Sequence, residues 1–167
     1  LATTGFDETQ QAAVRTAAQT IPLFWSANLS LGIHVLKALA RQAARLLGED
    51  ADIEIIERHH KRKKDAPSGT ALLLRDAMAG ERDFTRTVFG REGQSPRQAG
   101  EIGVHAVRGG SIVGEHTLLF AMDSETIELT HRGESRKLFA RGAMKAAAFI
   151  QAKPAGLYGM DDLFRDD

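Results

Sequence analysis

Residues 53–79 read as a short β-branched strand, a cationic loop and a helix start, and this order limits the fold more than any other stretch. Ile53, Ile55 and Ile56 favour extended backbone, so a strand is expected over 53–57. It delivers His59 and His60 at its C-terminal end. The loop that follows carries Lys61, Arg62, Lys63 and Lys64. Pro67 and Ser68 are start signals for a helix over 68–79.

The flanking segments supply further helices and strands. Asp7, with Gln10 three residues on, suits the cap of a helix over 7–19. An apolar run at 21–25 reads as a buried strand. A second helix is expected over 30–47, with Val35, Leu36, Leu39, Ala43, Leu46 and Leu47 as its apolar face and Gly48 ending it. After a strand at 85–89 and a polar loop at 90–100, Ile102, Val104 and Ala106 alternate with His105 and Val107. Gly109-Gly110 then suits a two-residue hairpin turn. Strands over 111–121 and 126–131 precede a last helix from Ser135, with Phe139, Ala143, Ala146 and Ile150 on one side. Residues 158–164 close the chain and need something to pack on. Helices mixed with antiparallel-type strands place the chain in the α/β (α+β) class.

The chemistry concentrates in residues 57–71. Adjacent histidines exchange protons near neutral pH. On a strand they point to opposite faces, so one can act on a ligand while the other braces another group. Ser68-Gly69-Thr70 opens a helix whose first amides point outward, where the dipole favours an anion. Glycine lets a ligand approach the backbone closely. A proton donor, cations and an anion cradle suit a small polyanion. Plainer readings exist for each part: surface histidines, a solvated basic loop, an ordinary helix cap. Asp65 could restrain Lys63 or anchor the loop. Thr3-Thr4-Gly5 and Ser26-Ala27-Asn28-Leu29 sit before helices, where nucleotide pockets form in open α/β sheets, though turns and caps look the same.

Other classes are disfavoured. Lys+Arg and Asp+Glu balance at 22 each, and no aromatic residues interleave the basic run, so a nucleic-acid surface over residues 58–64 is the weaker alternative. Adjacent histidines on a strand chelate poorly and the chain has no cysteine, so no metal site is expected. No apolar run is long enough to span a bilayer and no signal-peptide pattern opens the chain, so no membrane contact and a cytoplasmic location are expected.

Glu-Arg-His-His at 57–60, Lys63, and Asp-Ala-Pro-Ser-Gly-Thr-Ala at 65–71 together resemble the signature of the 4-hydroxy-tetrahydrodipicolinate reductase (dihydrodipicolinate reductase) family. That family acts in the diaminopimelate route to lysine. Weaker similarities follow in order: Ala-Thr-Thr-Gly-Phe at 2–6, Ser-Ala-Asn-Leu-Ser-Leu-Gly at 26–32, residues 112–117, 129–131 and Ser135-Arg136. Ala2 stands where the family commonly has glycine, Leu29 where it often has phenylalanine, and His34 where it has asparagine.

The resemblance implies a Rossmann domain that holds NADPH or NADH, then a mixed-sheet domain that binds substrate and builds a homotetramer. On this chain it implies His59 as general acid and Lys63 as second proton donor and clamp. His60, Gly69 and Thr70 would hold a small cyclic dicarboxylate. Ala2, Thr3, Thr4, Ser26, Ala27, Asn28 and Leu29 would line the nicotinamide side of the cofactor. No Gly-x-x-Gly-x-x-Gly strand–turn–helix occurs, so by the family pattern the chain is expected to begin near the end of the cofactor domain. The expected division is a remnant of that domain at 1–27, the substrate and oligomerisation domain at 28–152, and a tail at 153–167 packing back toward the cofactor domain. A non-catalytic dicarboxylate-binding or oligomerisation module is the alternative within the same resemblance.

Overall fold

The computed structural model describes residues 1–3 and 5–164. Its elements are α1 (Glu8–Ala17), β1 (Pro22–Phe24), α2 (Leu31–Leu47), β2 (Asp52–His59), α3 (Gly69–Ala79), β3 (Arg86–Phe89), β4 (Glu101–Arg108), β5 (Gly114–Ala121), β6 (Thr126–Gly133), α4 (Lys137–Ile150) and β7 (Gly156–Tyr158). The 3-10 turns Gly48–Asp50 and Met160–Phe164 follow α2 and β7. The class is mixed α/β, as expected. Contacts divide the chain into two compact units, Leu1–His34 with the chain from Arg136 onward, and Val35–Ser135.

The Val35–Ser135 unit is built on a five-stranded sheet with the order β3-β4-β2-β5-β6. β2 is flanked by a parallel β4, with His59 level with Arg108, and by an antiparallel β5, with Glu57 level with His116. β6 continues the antiparallel side and sets His131 level with His116. Side chains alternate along each strand, so Ile53, Ile55, Glu57 and His59 share one face. Ile53, Ile55, Ile102, Val104, Leu118 and Phe120 are all buried. α3 packs on β2 and turns Ala71, Leu74 and Met78 inward. The core thus lies directly beneath the strand end that carries the histidines.

Two expectations need correction. Gly109-Gly110 is not a hairpin turn, because β4 and β5 lie on opposite sides of β2. Residues 109–113 instead cross the end of β2: the Gly109 N–H donates to the His59 carbonyl at 2.9 Å and the Lys61 N–H to the Gly110 carbonyl at 3.3 Å. Gly110 still uses a left-handed φ of +46°. Local turn chemistry cannot register that an upstream strand inserts between its two neighbours. The apolar face of α2 is also different. Ile33, Leu36, Ala40 and Ala44 are buried, whereas Val35, Leu39 and Leu46 are 46%, 47% and 70% exposed. Of the expected face Leu36 is buried and Ala43 and Leu47 are half-buried, so the packed stripe is rotated from the expected one and shares Leu36 with it.

In the other unit, Asp7 caps α1 through a capping box: the Gln10 N–H donates to Asp7 Oδ1 at 2.8 Å and the Asp7 N–H to Gln10 Oε1 at 3.0 Å. β1 and β7 pair in parallel, with Phe24 level with Tyr158. Phe24, Ala146 and Met160 form a core with Leu29, Leu31, Phe149, Ile150, Tyr158 and Leu163 packed around it. Gly142 of α4 lies so close to residue 29 that a Cβ there would stand 1.7 Å from the Leu29 carbonyl oxygen. That approach braces the loop between β1 and α2.

Candidate functional site

Glu57 organises the C-terminal end of β2. Its carboxylate is fully buried. Arg108, carried on the neighbouring β4, donates to both oxygens at 2.7 Å. The Ser68 N–H donates to Oε1 at 2.9 Å, and His59 Nδ1 lies 2.6 Å from Oε2. Ser68 in turn caps α3: its Oγ accepts from the Ala71 N–H at 3.2 Å and lies 3.1 Å from His116 Nε2. The rings of His59 and His116 meet edge to face, with centroids 5.3 Å apart. Gly114 leaves room for the imidazole, since a Cβ there would stand 3.1 Å from His59 Nε2.

The loop after β2 hangs from the same group. Arg108 Nη2 also donates to the Asp65 carbonyl at 2.7 Å. Lys63 Nζ donates to Asp65 Oδ1 at 2.8 Å, so Asp65 does restrain Lys63.

Burial dominates the electrostatics. It would raise the Glu57 carboxyl, but hydrogen bonds from Arg108, His59 and the Ser68 backbone reverse that and leave it below the ordinary value. Burial lowers His59; Glu57 pulls it back up, and Lys63 and Arg108 push it down again. The influence of Lys63 on both His59 and His116 places its charge at this end of the sheet. Burial takes His116 down to about 3, so this ring is neutral. His131 is lowered for the same reason. The Arg108 guanidinium is raised, chiefly by its hydrogen bond to Glu57.

The sequence-predicted residues fall into two groups. His59, Lys63 and the start of α3 converge through Glu57, Ser68 and Asp65. Gly69 is the first residue of α3, and the space where a Cβ would stand is open to 4 Å. Thr70 follows it, half-buried. The His60 ring is half-buried and takes no part in the Glu57 hydrogen bonds; its Nδ1 is buried without a hydrogen-bond partner among the described residues.

In the other unit, Ala2, Ser26, Ala27, Asn28 and Leu29 line a hollow of about 260 Å³ together with Phe139. Its loop is held by its own hydrogen bonds: Ser26 Oγ donates to the Asn28 carbonyl at 2.7 Å, and the Ser30 N–H donates to Asn28 Oδ1 at 2.8 Å. Thr3 is exposed and its carbonyl accepts from the Trp25 indole at 3.4 Å. Thr4 lies outside the described residues.

Sequence reasoning missed the structural half of the site: Glu57, Arg108, Ser68 as a shared anchor, and His116. Glu57 could have been found, because residues two apart on a strand share a face. Arg108 and His116 carry no local signal, since only the sheet order brings them to β2. Among the described residues no group of three or more His, Cys, Asp or Glu is arranged to hold a metal ion, and no helix is long and apolar enough to cross a membrane.

Comparison with known proteins identifies the family and the fold. The family model described as "Dihydrodipicolinate reductase, C-terminus" matches residues 32–164. The chain belongs to this family. Among curated dihydrodipicolinate reductase relatives, the 4-hydroxy-tetrahydrodipicolinate reductase of Clostridium tetani (strain Massachusetts / E88) is 47% identical over 162 residues, covering 96% of this chain and 64% of its own length. That of Pseudoalteromonas atlantica is 51% identical over 167 residues, covering 98% and 62%. The chain therefore spans somewhat under two thirds of the length of these relatives. Among solved structures, a dipicolinate-bound dihydrodipicolinate reductase from Paenisporosarcina sp. TG-14 superposes with a TM-score of 0.76 at 26% identity, over 96% of this chain and 62% of that one.

Proposed function

We propose that this chain supplies the dicarboxylate-binding and proton-donating part of an NAD(P)H-dependent 4-hydroxy-tetrahydrodipicolinate reductase of lysine and diaminopimelate biosynthesis. The observation that carries this reading is that one buried carboxylate, Glu57, holds both His59 and the α3 N-terminus, while Arg108, bound to the same carboxylate, anchors the loop whose Asp65 holds Lys63, in a chain of this family. The roles follow from chemistry. Hydride addition to a conjugated imine leaves electron density that needs a proton, and His59 donates it. Lys63 clamps one carboxylate and serves as a second proton donor. His60 and the backbone of Gly69 and Thr70 hold the other, where the helix dipole and amide donors favour an anion. Overall the ring gains a hydride and a proton and loses water, giving tetrahydrodipicolinate.

Charge explains how a lowered His59 still acts as an acid. Burial, Lys63 and Arg108 disfavour the charged imidazole. A dianion beside it offsets those cations and favours imidazolium, so substrate binding itself draws in the proton.

The 26–29 loop suits the cofactor. Small side chains at Ala2, Ser26 and Ala27 line the hollow together with Asn28, and its volume of about 260 Å³ suits a flat ring. A reduced nicotinamide, when bound, supplies the hydride. Ala2, Thr3, Thr4 and residues 26–29 are assigned to that side of the cofactor. The first 27 residues are assigned to the cofactor domain, residues 28–152 to substrate binding and oligomerisation, and the stretch 153–167, of which 165–167 lie outside the described residues, to a tail toward the cofactor domain. Through the five-stranded sheet the protein is assigned to a homotetramer, and its work to the cytoplasm with the biosynthetic reductases it resembles.

Calorimetric titration with pyridine-2,6-dicarboxylate, with and without NADPH, tests the reading. Binding is expected, with Lys63→Ala weakening it about 10–100-fold, the value of one charge-assisted hydrogen bond. In a protein of the relatives' full length, His59→Gln should abolish most turnover. Absence of dicarboxylate binding, or full turnover by His59→Gln, would defeat it.

A further inference from the structure

We propose that Glu57 is a positioning residue: it fixes the His59 tautomer with the proton on Nδ1, presents Nε2 as the proton-donating nitrogen, and locks that nitrogen in register with the anion-binding start of α3. The inference rests on the reductase reading for what the nitrogen does, but its geometry stands by itself.

Donor accounting decides the tautomer. Four donor positions surround the two carboxylate oxygens. Arg108 supplies two, at 2.7 Å each, and the Ser68 backbone supplies a third at 2.9 Å. An arginine and a backbone amide only donate. A carboxylate so surrounded is ionised and only accepts, so the fourth contact, His59 Nδ1 at 2.6 Å, must bring its own hydrogen. The ring's exchangeable nitrogen is then Nε2, the atom set against Gly114.

One side chain also sets the spacing between acid and cradle. Glu57 Oε2 holds the imidazole, and Oε1 holds the residue whose hydroxyl caps α3. Arg108, fixed by both oxygens, reaches on to the Asp65 carbonyl, and Asp65 holds Lys63. Replacing a buried ion pair by apolar side chains is often neutral or stabilising, so stability alone does not account for a carboxylate here. Its placement is explained by what it orients.

The charged and titratable groups that face His59 are Glu57 on β2, Lys63 in the loop, Arg108 on β4 and His116 on β5, with Asp65 beyond Lys63 and His131 of β6 beyond His116. Glu57 and Arg108 act on the ring with opposite sign, which permits a test that structural damage cannot imitate. Imidazole 15N–1H correlation spectra of the 167-residue chain are recorded through a pH titration. The wild type should show His59 with hydrogen on Nδ1. Glu57→Gln removes the charge, so the titration midpoint of His59 should move down and the single tautomer should be lost. Arg108→Gln removes a cation and frees the carboxylate, so the midpoint should move up with the tautomer kept.

In the full-length enzyme Glu57→Gln should lower kcat about 10²-fold, with a KM change far smaller and the pH profile displaced in the direction of the His59 midpoint. A wild-type ring with hydrogen on Nε2, or two variants that shift His59 in the same direction or not at all, would overturn the proposal. Should Glu57→Gln not fold, the upward shift in Arg108→Gln decides it alone. Failure of wild type to bind pyridine-2,6-dicarboxylate would instead defeat the reductase reading and leave the tautomer result standing.

Discussion

Acidification from pH 7 to pH 4 should destabilise the Val35–Ser135 unit through one buried imidazole, His116. The ring is 4% exposed. It lies between Glu57 and His131 across the sheet, edge-on to His59, with Ser68 Oγ against Nε2. Burial first, then the nearby His59, His131 and Lys63, bring it down to about 3. Unfolded, it returns to about 6.5. Between these values the unfolded chain binds more protons than the folded one. The contribution of neutral His116 is therefore fully present above pH 6.5 and is lost as pH falls toward 3. Linkage from 6.5 to 3 gives a loss of about 3 kcal/mol by pH 4, a large part of the ~5–15 kcal/mol that holds a domain together.

The assay is urea unfolding of wild type and His116→Gln at pH 7, 6, 5 and 4. Glutamine keeps an N–H for Ser68 Oγ and does not titrate. At pH 7 the variant should be the less stable by about 1–2 kcal/mol, for lost packing and a poorer hydrogen bond. Other groups titrate in both proteins. His59 and His131 are lowered, and so lose their share as pH drops below 6.5. Glu101, held at about 2 against burial by Arg91, the Gln98 backbone and Arg86, loses its share only below about 4.5. These contributions largely cancel in the difference between the two proteins. That difference should move by about 3 kcal/mol in the variant's favour between pH 7 and pH 4. A difference that stays constant to within about 0.5 kcal/mol would refute the burial argument.

Glycines test other parts of the architecture. Gly69→Ala meets open space and adds a better helix former, so urea unfolding should show unchanged or slightly raised stability while calorimetry shows weaker binding of pyridine-2,6-dicarboxylate. Gly103→Ala would set a Cβ 1.5 Å from Glu54 Oε2, a carboxylate pinned by His105 Nε2 at 2.7 Å and by Arg97; a loss of about 1–3 kcal/mol is expected in the same unfolding assay. Gly142→Ala drives a Cβ against the Leu29 backbone carbonyl, so NADPH binding should weaken in a protein of the relatives' full length, with dicarboxylate binding by the Val35–Ser135 unit retained.

What could be read from the chain alone divides by range. Asp7 with Gln10, Ser68 before Gly69, and Gly48 after α2 are signals within a few residues, and the chain starts α1 and α3 and ends α2 there. The histidine signature was legible for the same reason: His59, Lys63 and Gly69 are placed by one strand, one loop and one helix start. Mispredicted features were those decided at a distance. Gly109-Gly110 has the chemistry of a hairpin, but β2 lies between the strands it would join. The expected apolar stripe of α2 shares Leu36 with the packed one, but its Val35, Leu39 and Leu46 are exposed and Ile33, Ala40 and Ala44 are buried instead.

Glu57 shows why the chemical centre was harder still. Alone in the sequence it is one acidic residue beside two histidines, and nothing local says it is buried. Its burial becomes tolerable only because Arg108 arrives from β4 and Ser68 from the start of α3. Arg108 arrives only because the parallel register sets it level with His59. The strand order of the sheet thus decides which groups surround His59. A one-residue slip of β4 against β2 would turn Arg108 to the other face and leave the carboxylate uncompensated. The fold and the environment of His59 therefore share a single constraint, and a variant that shifts that register should lose stability and the proposed His59 tautomer together.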